Sequence, residues 1–129
     1  EAEERKPPTK QIFTLENKKD LNVRVIKSSE ATVRVPQLKM EVTPGIASSG
    51  YISNIEGVLL RFKKIIEKER DDADDPTVKK LAKNLLKKLW KVELGEFPLK
   101  IVIEDPSGNS AIISEKTETQ PLKASSKSN

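Results

Sequence analysis

Few side chains in this chain can do chemistry, and they fall in three stretches. Glu104 and Asp105 adjoin just before Pro106-Ser107-Gly108-Asn109. An acid/base pair needs both carboxyls turned toward one substrate, and neighbours on an extended strand point to opposite faces. Ser107-Gly108-Asn109 could cradle a phosphate on its amides. A true phosphate loop also needs a lysine and an immediately following helix, and neither is present. Asp71, Asp72, Asp74 and Asp75 offer the oxygen ligands calcium takes, but without the central glycine and closing glutamate of an EF-hand. Just ahead of Pro76 they read instead as the start of a helix, with Asp75 as its cap. The third stretch is basic: Lys79, Lys80, Lys83, Lys87, Lys88 and Lys91 occupy one arc of a helix. Such an arc can follow a nucleic-acid backbone, although a solvated helix face is the commoner origin of a lysine run.

The 129 residues contain no cysteine and no histidine. That removes disulfides, a Cys/His zinc site and nucleophile–histidine catalysis from this chain. It also removes the histidine ligands a jelly-roll metal oxygenase would need. Net charge is only +4, from 24 basic and 20 acidic side chains, without the one-sided excess of a dedicated DNA binder. No apolar run reaches the length of a membrane span and no signal peptide is visible, so a cytoplasmic protein is the default. A chain of this length makes one domain with tails. It opens on Glu1 rather than Met, which reads as a piece of a longer protein.

The elements that must position these residues follow from periodicity. Residues 1–10 are charged and hold Pro7-Pro8, and read as a linker or disordered arm. Gln11–Leu15 can form a short strand. Leu21, Val23 and Val25 alternate with Asn22, Arg24 and Ile26, the pattern of a strand. Ala31, Val33 and Val35 make another, closed by Pro36, and Leu38, Met40 and Val42 a further one, closed by Pro44-Gly45. The period then changes to that of a helix: Ile55, Val58, Leu59, Phe62, Ile65 and Ile66 form one stripe running to about Arg70. Ser53 with Glu56 has capping-box spacing, with Asn54 as the alternative cap. A second helix sets Val78, Leu81, Ala82, Leu85, Leu86 and Leu89 on a stripe and ends at Gly95. The two stripes facing each other make a helical hairpin over about 53–95. Phe97, Leu99, Ile101 and Ile103 alternate again, and Ala111–Ile113 follow a turn in which Gly108 takes φ > 0. These two segments read as a β-hairpin. Residues 115–120 can add a strand, and 121–129 read as a disordered tail. The class is α+β.

Trp90 lies off the leucine stripe, beside Lys83 and Lys87. It is either packed against the first helix, which burial habits favour, or an exposed anchor for a partner.

Several stretches together resemble one family. They are Asp20-Leu21-Asn22, Lys27-Ser28-Ser29, Arg34-Val35-Pro36-Gln37-Leu38 and Glu41-Val42-Thr43-Pro44-Gly45. With them go Gly50-Tyr51-Ile52-Ser53-Asn54-Ile55-Glu56-Gly57 and Glu104-Asp105-Pro106-Ser107-Gly108-Asn109-Ser110. The pattern is similar to ZPR-type zinc-finger proteins, most closely the single-module archaeal form. In that family each module is a four-cysteine zinc ribbon followed by a so-called A-domain, a double-stranded β-helix (jelly-roll-like) with an inserted helical hairpin. The resemblance covers residues 11–120 and implies an A-domain without its ribbon. It places the zinc in an upstream ribbon, with no cofactor here and no catalytic residue.

The resemblance further implies a non-catalytic, chaperone-like interaction module that binds translation elongation factor 1-alpha, in its GDP form or as a folding intermediate. The alternative is an RNA- or ribosome-associated module that uses the lysine helix. No membrane partner is expected, and a monomer is. Gly45, Gly50, Glu56, Gly57, Asp105, Pro106, Ser107, Gly108 and Asn109 are the structural motif. Two surfaces could meet the partner: Arg24, Lys27 and Arg34 projecting from strands, or Lys87 and Trp90 on the second helix. Arginine enrichment at interfaces favours the strand side.

Overall fold

Alternation along the strands puts Phe13 opposite Ile101 and Leu15 opposite Leu99, all four fully buried. This pairing of β1 (Thr9–Leu15) with β6 (Leu99–Asp105) is the spine of a five-stranded antiparallel sheet in a computed structural model. The structure describes residues 4–45 and 49–123. The sheet order is β4-β3-β6-β1-β8, with β3 at Thr32–Val35, β4 at Met40–Val42 and β8 at Glu118–Pro121. A three-stranded antiparallel sheet, β5-β2-β7, joins Tyr51–Asn54, Arg24–Lys27 and Ala111–Ile113. The inward residues of both sheets form one apolar cluster with the helical hairpin, α1 (Ile55–Asp72) and α2 (Pro76–Glu93). Two antiparallel sheets and an inserted pair of packed helices make a jelly-roll domain of the α+β class.

The helix ends follow local chemistry. The Asn54 side chain caps α1 by accepting from Gly57 N at 2.8 Å. Ser53 lies in β5 instead, so the alternative cap prevails. A Cβ on Gly57 would stand 2.1 Å from Ser53 Oγ, so what crowds this glycine is the side chain just before the cap. Asp75 caps α2 through Thr77 N, with Pro76 in its first turn, as its spacing predicts.

The structure corrects several expectations. Segments 97–105 and 111–113 do not form a hairpin. Both edges of β6 are occupied, one by β1 and the other by β3, so β7 crosses to the other sheet and pairs with β2. Strand geometry expected from Leu21 begins only at Arg24, because Lys18–Asn22 form a 3₁₀ turn. Asn17 and Asp20 each accept from the other's backbone amide at 3.2 Å, and these local bonds displace the strand ladder. The final strand runs Glu118–Pro121 rather than 115–120.

The arm is partly placed. Strand β1 already includes Thr9 and Lys10, Arg5 forms a bidentate pair with Glu30 at 2.9 Å, and Lys6 N donates to Ser107 O at 2.9 Å. The remainder of both terminal expectations, residues 1–3 and 124–129, lies outside the described residues.

Candidate functional site

Residues 105–110 are organised by one buried carboxylate. Asp105 Oδ1 accepts from Ser107 N at 2.8 Å and from Ser107 Oγ at 2.7 Å, while Oδ2 accepts from Asn109 N at 3.1 Å and from the Ser110 hydroxyl. Burial pushes the carboxyl up, but the hydroxyls of Ser110, Ser107 and Ser28 and the Ser107 amide outweigh it and hold it below its ordinary value. Gly108 takes φ +72°, and a Cβ there would meet Pro7 O at 2.3 Å, so the turn is also the seat of the arm. Glu104 points away from Asp105 and pairs with Arg34, so the adjoining carboxyls share no site. The Ser110 hydroxyl of this motif accepts from Ser28 N at 2.9 Å, fixing the end of β2.

That fixed end carries Lys27. The residue shares the inward face with Val25 and is buried, which corrects the expectation that it projects from the strand. Its Nζ donates to Ser28 O at 2.9 Å and lies 5.5 Å from the centroid of the Tyr51 ring. Burial pushes the ammonium below its ordinary pKa; nearby Asp105 opposes the shift and Arg61 adds to it. Arg61 also packs against this ring, its guanidinium carbon 3.8 Å from the same centroid. A Cβ on Gly50 would come within 2.6 Å of Lys27 O, so only glycine lets β5 begin this close to β2. Two cavities, of about 460 and 610 Å³, share Lys27, Ser49, Gly50 and Tyr51 as a common wall.

The other expected site residues are not brought to this place. Arg24 is exposed on β2, opposite Asn54 and Ile113. Arg34 belongs to the other sheet and is engaged by Glu104 at 3.0 Å and by Glu41. Burial lowers its pKa less than these two carboxylates raise it, the hydrogen bond to Glu104 being the largest contribution. The strand-borne trio is thus split into one exposed, one buried and one ion-paired side chain.

On α2, Lys87 is exposed and Trp90 is 60% exposed, which overturns core packing for the tryptophan. Burial along the hairpin stops at Ile66 on α1 and resumes only at Ala82 on α2, so the tip of the hairpin projects beyond the sheets. Val78 and Leu81, expected on a covered stripe, are 37% and 59% exposed for that reason. Tyr51, Arg61 and Lys64 escaped sequence reasoning, because no motif unites them. The signal available was Lys27's position on the apolar parity of β2.

Residues 19–127 match the family model of the ZPR1 jelly-roll domain. The chain belongs to the ZPR1 family. It is 37% identical over 115 residues to a ZPR1-like protein of Methanocaldococcus jannaschii, covering 89% of this chain and 58% of that protein. It is 39% identical over 124 residues to a ZPR1-like protein of Pyrococcus horikoshii, covering 93% and 55%. With the zinc finger chaperone zpr1 of Schizosaccharomyces pombe it shares 32% identity over 106 residues, 81% of this chain and 22% of that protein.

The chain therefore spans little more than half the length of its archaeal relatives and about a fifth of the yeast one. The zinc of the yeast relative's name would need ligands that this ZPR1 jelly-roll domain supplies neither as cysteine nor as histidine. No carboxylate cluster able to hold a metal occurs among the described residues. Among those residues, no helix is long and apolar enough to cross a membrane.

Proposed function

We propose that this ZPR1 jelly-roll domain is a non-catalytic, chaperone-like interaction module of the cytoplasm whose partner is translation elongation factor 1-alpha, in its GDP form or as a folding intermediate. The observation that carries the docking surface is Trp90. A tryptophan 60% exposed on a well-formed helix, one turn from Lys87, has no folding role to explain its exposure. Family membership and a relative named as a chaperone support the class of function. The zinc belongs, in this reading, to a ribbon elsewhere in the full-length protein. The strand side loses its appeal because Lys27 is buried and Arg34 is already paired.

A second reading rests on a separate observation. Lys79, Lys80, Lys83, Lys87, Lys88 and Lys91 form no ion pair among the described residues, so α2 offers an uncompensated basic face to RNA or to the ribosome. Salt separates the two. A phosphate-dominated contact weakens steeply between 50 and 200 mM salt, on the order of 10³-fold for six contacts. A contact centred on tryptophan does not.

The test is a titration of GDP-loaded elongation factor 1-alpha with the unmutated chain, Arg34→Ala, and Lys87→Ala/Trp90→Ala. Loss confined to the last variant supports the hairpin. Loss confined to Arg34→Ala moves the contact to the strands. No binding by the unmutated chain places the contact outside this domain.

A further inference from the structure

The smaller of the two cavities opens at the seam of the jelly roll, where edge strand β4 of one sheet approaches edge strand β5 of the other beside α1. Among the described residues its charged lining is of one sign: Lys27, Arg61 and Lys64, with no aspartate or glutamate. Among the described residues neither Arg61 nor Lys64 forms an ion pair. Lys27 spends one of its three N–H groups on Ser28 O and, among the described residues, has no carboxylate within ion-pairing distance. A buried ammonium left so is costly unless an anion completes its shell. Asp105, the carboxylate whose field reaches Lys27, is already saturated by serine and asparagine donors.

The rest of the wall is of the opposite character. Val33, Val42, Val58 and Phe62 form an apolar floor, and the Tyr51 ring lies against both Lys27 and Arg61. A volume of about 460 Å³ lies within the range of pockets that hold small organic groups.

We propose that this seam cavity binds a carboxylate carried on a small branched apolar body. Lys27 and Arg61, which both stand against the Tyr51 ring, hold the carboxylate, Lys64 adds charge at the rim, and the valines and Phe62 take the aliphatic part. A single carboxylate is favoured over a phosphate dianion because it leaves water at lower cost to reach an apolar-floored site. Its source is either a free branched-chain acid or the C-terminal residue of a peptide. The inference is independent of the elongation-factor reading, since it concerns a different face and is tested with small probes.

Chemical-shift titration of the ¹⁵N-labelled chain with 4-methylpentanoate tests it, with 4-methylpentanamide and inorganic phosphate as controls. Saturable shifts at Lys27, Gly50 and Tyr51 with the acid, and none with the amide, are expected. A second arm uses acetyl-Gly-Gly-Leu with a free and with an amidated C-terminus. Binding of the free peptide assigns a peptide source, and binding of the acid alone assigns a small molecule.

Arg61→Gln, at an exposed position and checked by its melting curve, should weaken binding about tenfold, the loss of one charge-assisted hydrogen bond. Lys27→Met, checked by its melting curve, should abolish it. Equal shifts with acid and amide, a phosphate response matching the acid's, or unchanged affinity in Arg61→Gln each overturn the assignment.

Discussion

Asp105 and Ser107 are joined twice through a single oxygen: Oδ1 accepts both the Ser107 amide, at 2.8 Å, and its hydroxyl, at 2.7 Å. With Asn109 and Ser110 on the other oxygen, one carboxylate folds the loop that carries the chain from the larger sheet to the smaller. It also bridges, through Ser110 and Ser28, to the strand end where Lys27 is buried. The scaffold and the seam cavity therefore share one electrostatic centre.

The pH dependence of stability follows from that carboxylate. Its folded pKa is depressed, so the unfolded chain takes up the proton first. The stability Asp105 contributes is fully present above its unfolded pKa, about 4, and is lost as pH falls through the folded value. Asp20, also held below its ordinary value, acts in the same direction: burial raises it, and Lys116 with the Glu16 and Asn17 amides outweighs burial. The urea midpoint should fall on acidification below about pH 4. Asp105→Asn should cost about 2 kcal/mol at pH 7 and flatten that acid limb. A variant with an unchanged acid limb would remove Asp105 from the explanation.

Gly108 makes two demands that can be separated. Its φ of +72° charges any other residue about 1–2 kcal/mol, and its missing Cβ leaves room for Pro7 O. Gly108→Ala should therefore lose more stability in the full chain than in a chain lacking residues 1–7, where only the backbone contribution remains. Equal losses in denaturant unfolding of the two chains would show that the arm does not rest on this turn.

At the start of α1 the two candidate caps predict different outcomes. Asn54 Oδ1 accepts from Gly57 N, so Asn54→Ala should cost about 1 kcal/mol, while Ser53→Ala should be nearly neutral. Thermal melts of the two variants decide it, and a larger loss at Ser53 would reverse the assignment.

Metal should be irrelevant to the fold of this chain. Without cysteine or histidine it lacks the ligands whose binding would be linked to folding. Neither EDTA nor added zinc should move the melting temperature, and a shift of several degrees with zinc would contradict this.

Much of this architecture was legible in the sequence because periodicity reports which face of an element is apolar. The strand from Leu99, the two helices, Asp75 ahead of Pro76 and the left-handed glycine of the 105–110 turn are all properties of short stretches, and they appear as read, whereas Val78 and Leu81 of the α2 stripe are exposed. Periodicity says nothing about partners. That β6 lies between β1 and β3, leaving β7 to β2, depends on which strand edges are already occupied, and no local pattern carries that information.

The same holds for the two side chains the site turns on. Lys27 reads as a surface charge until Asp105 and Tyr51, remote in the chain, are brought around it. Trp90 reads as core until Leu89 and Val92 turn inward on the same helix and leave its face outward. A sequence fixes the polarity of each residue locally, but burial is decided by the surfaces that arrive from elsewhere in the chain.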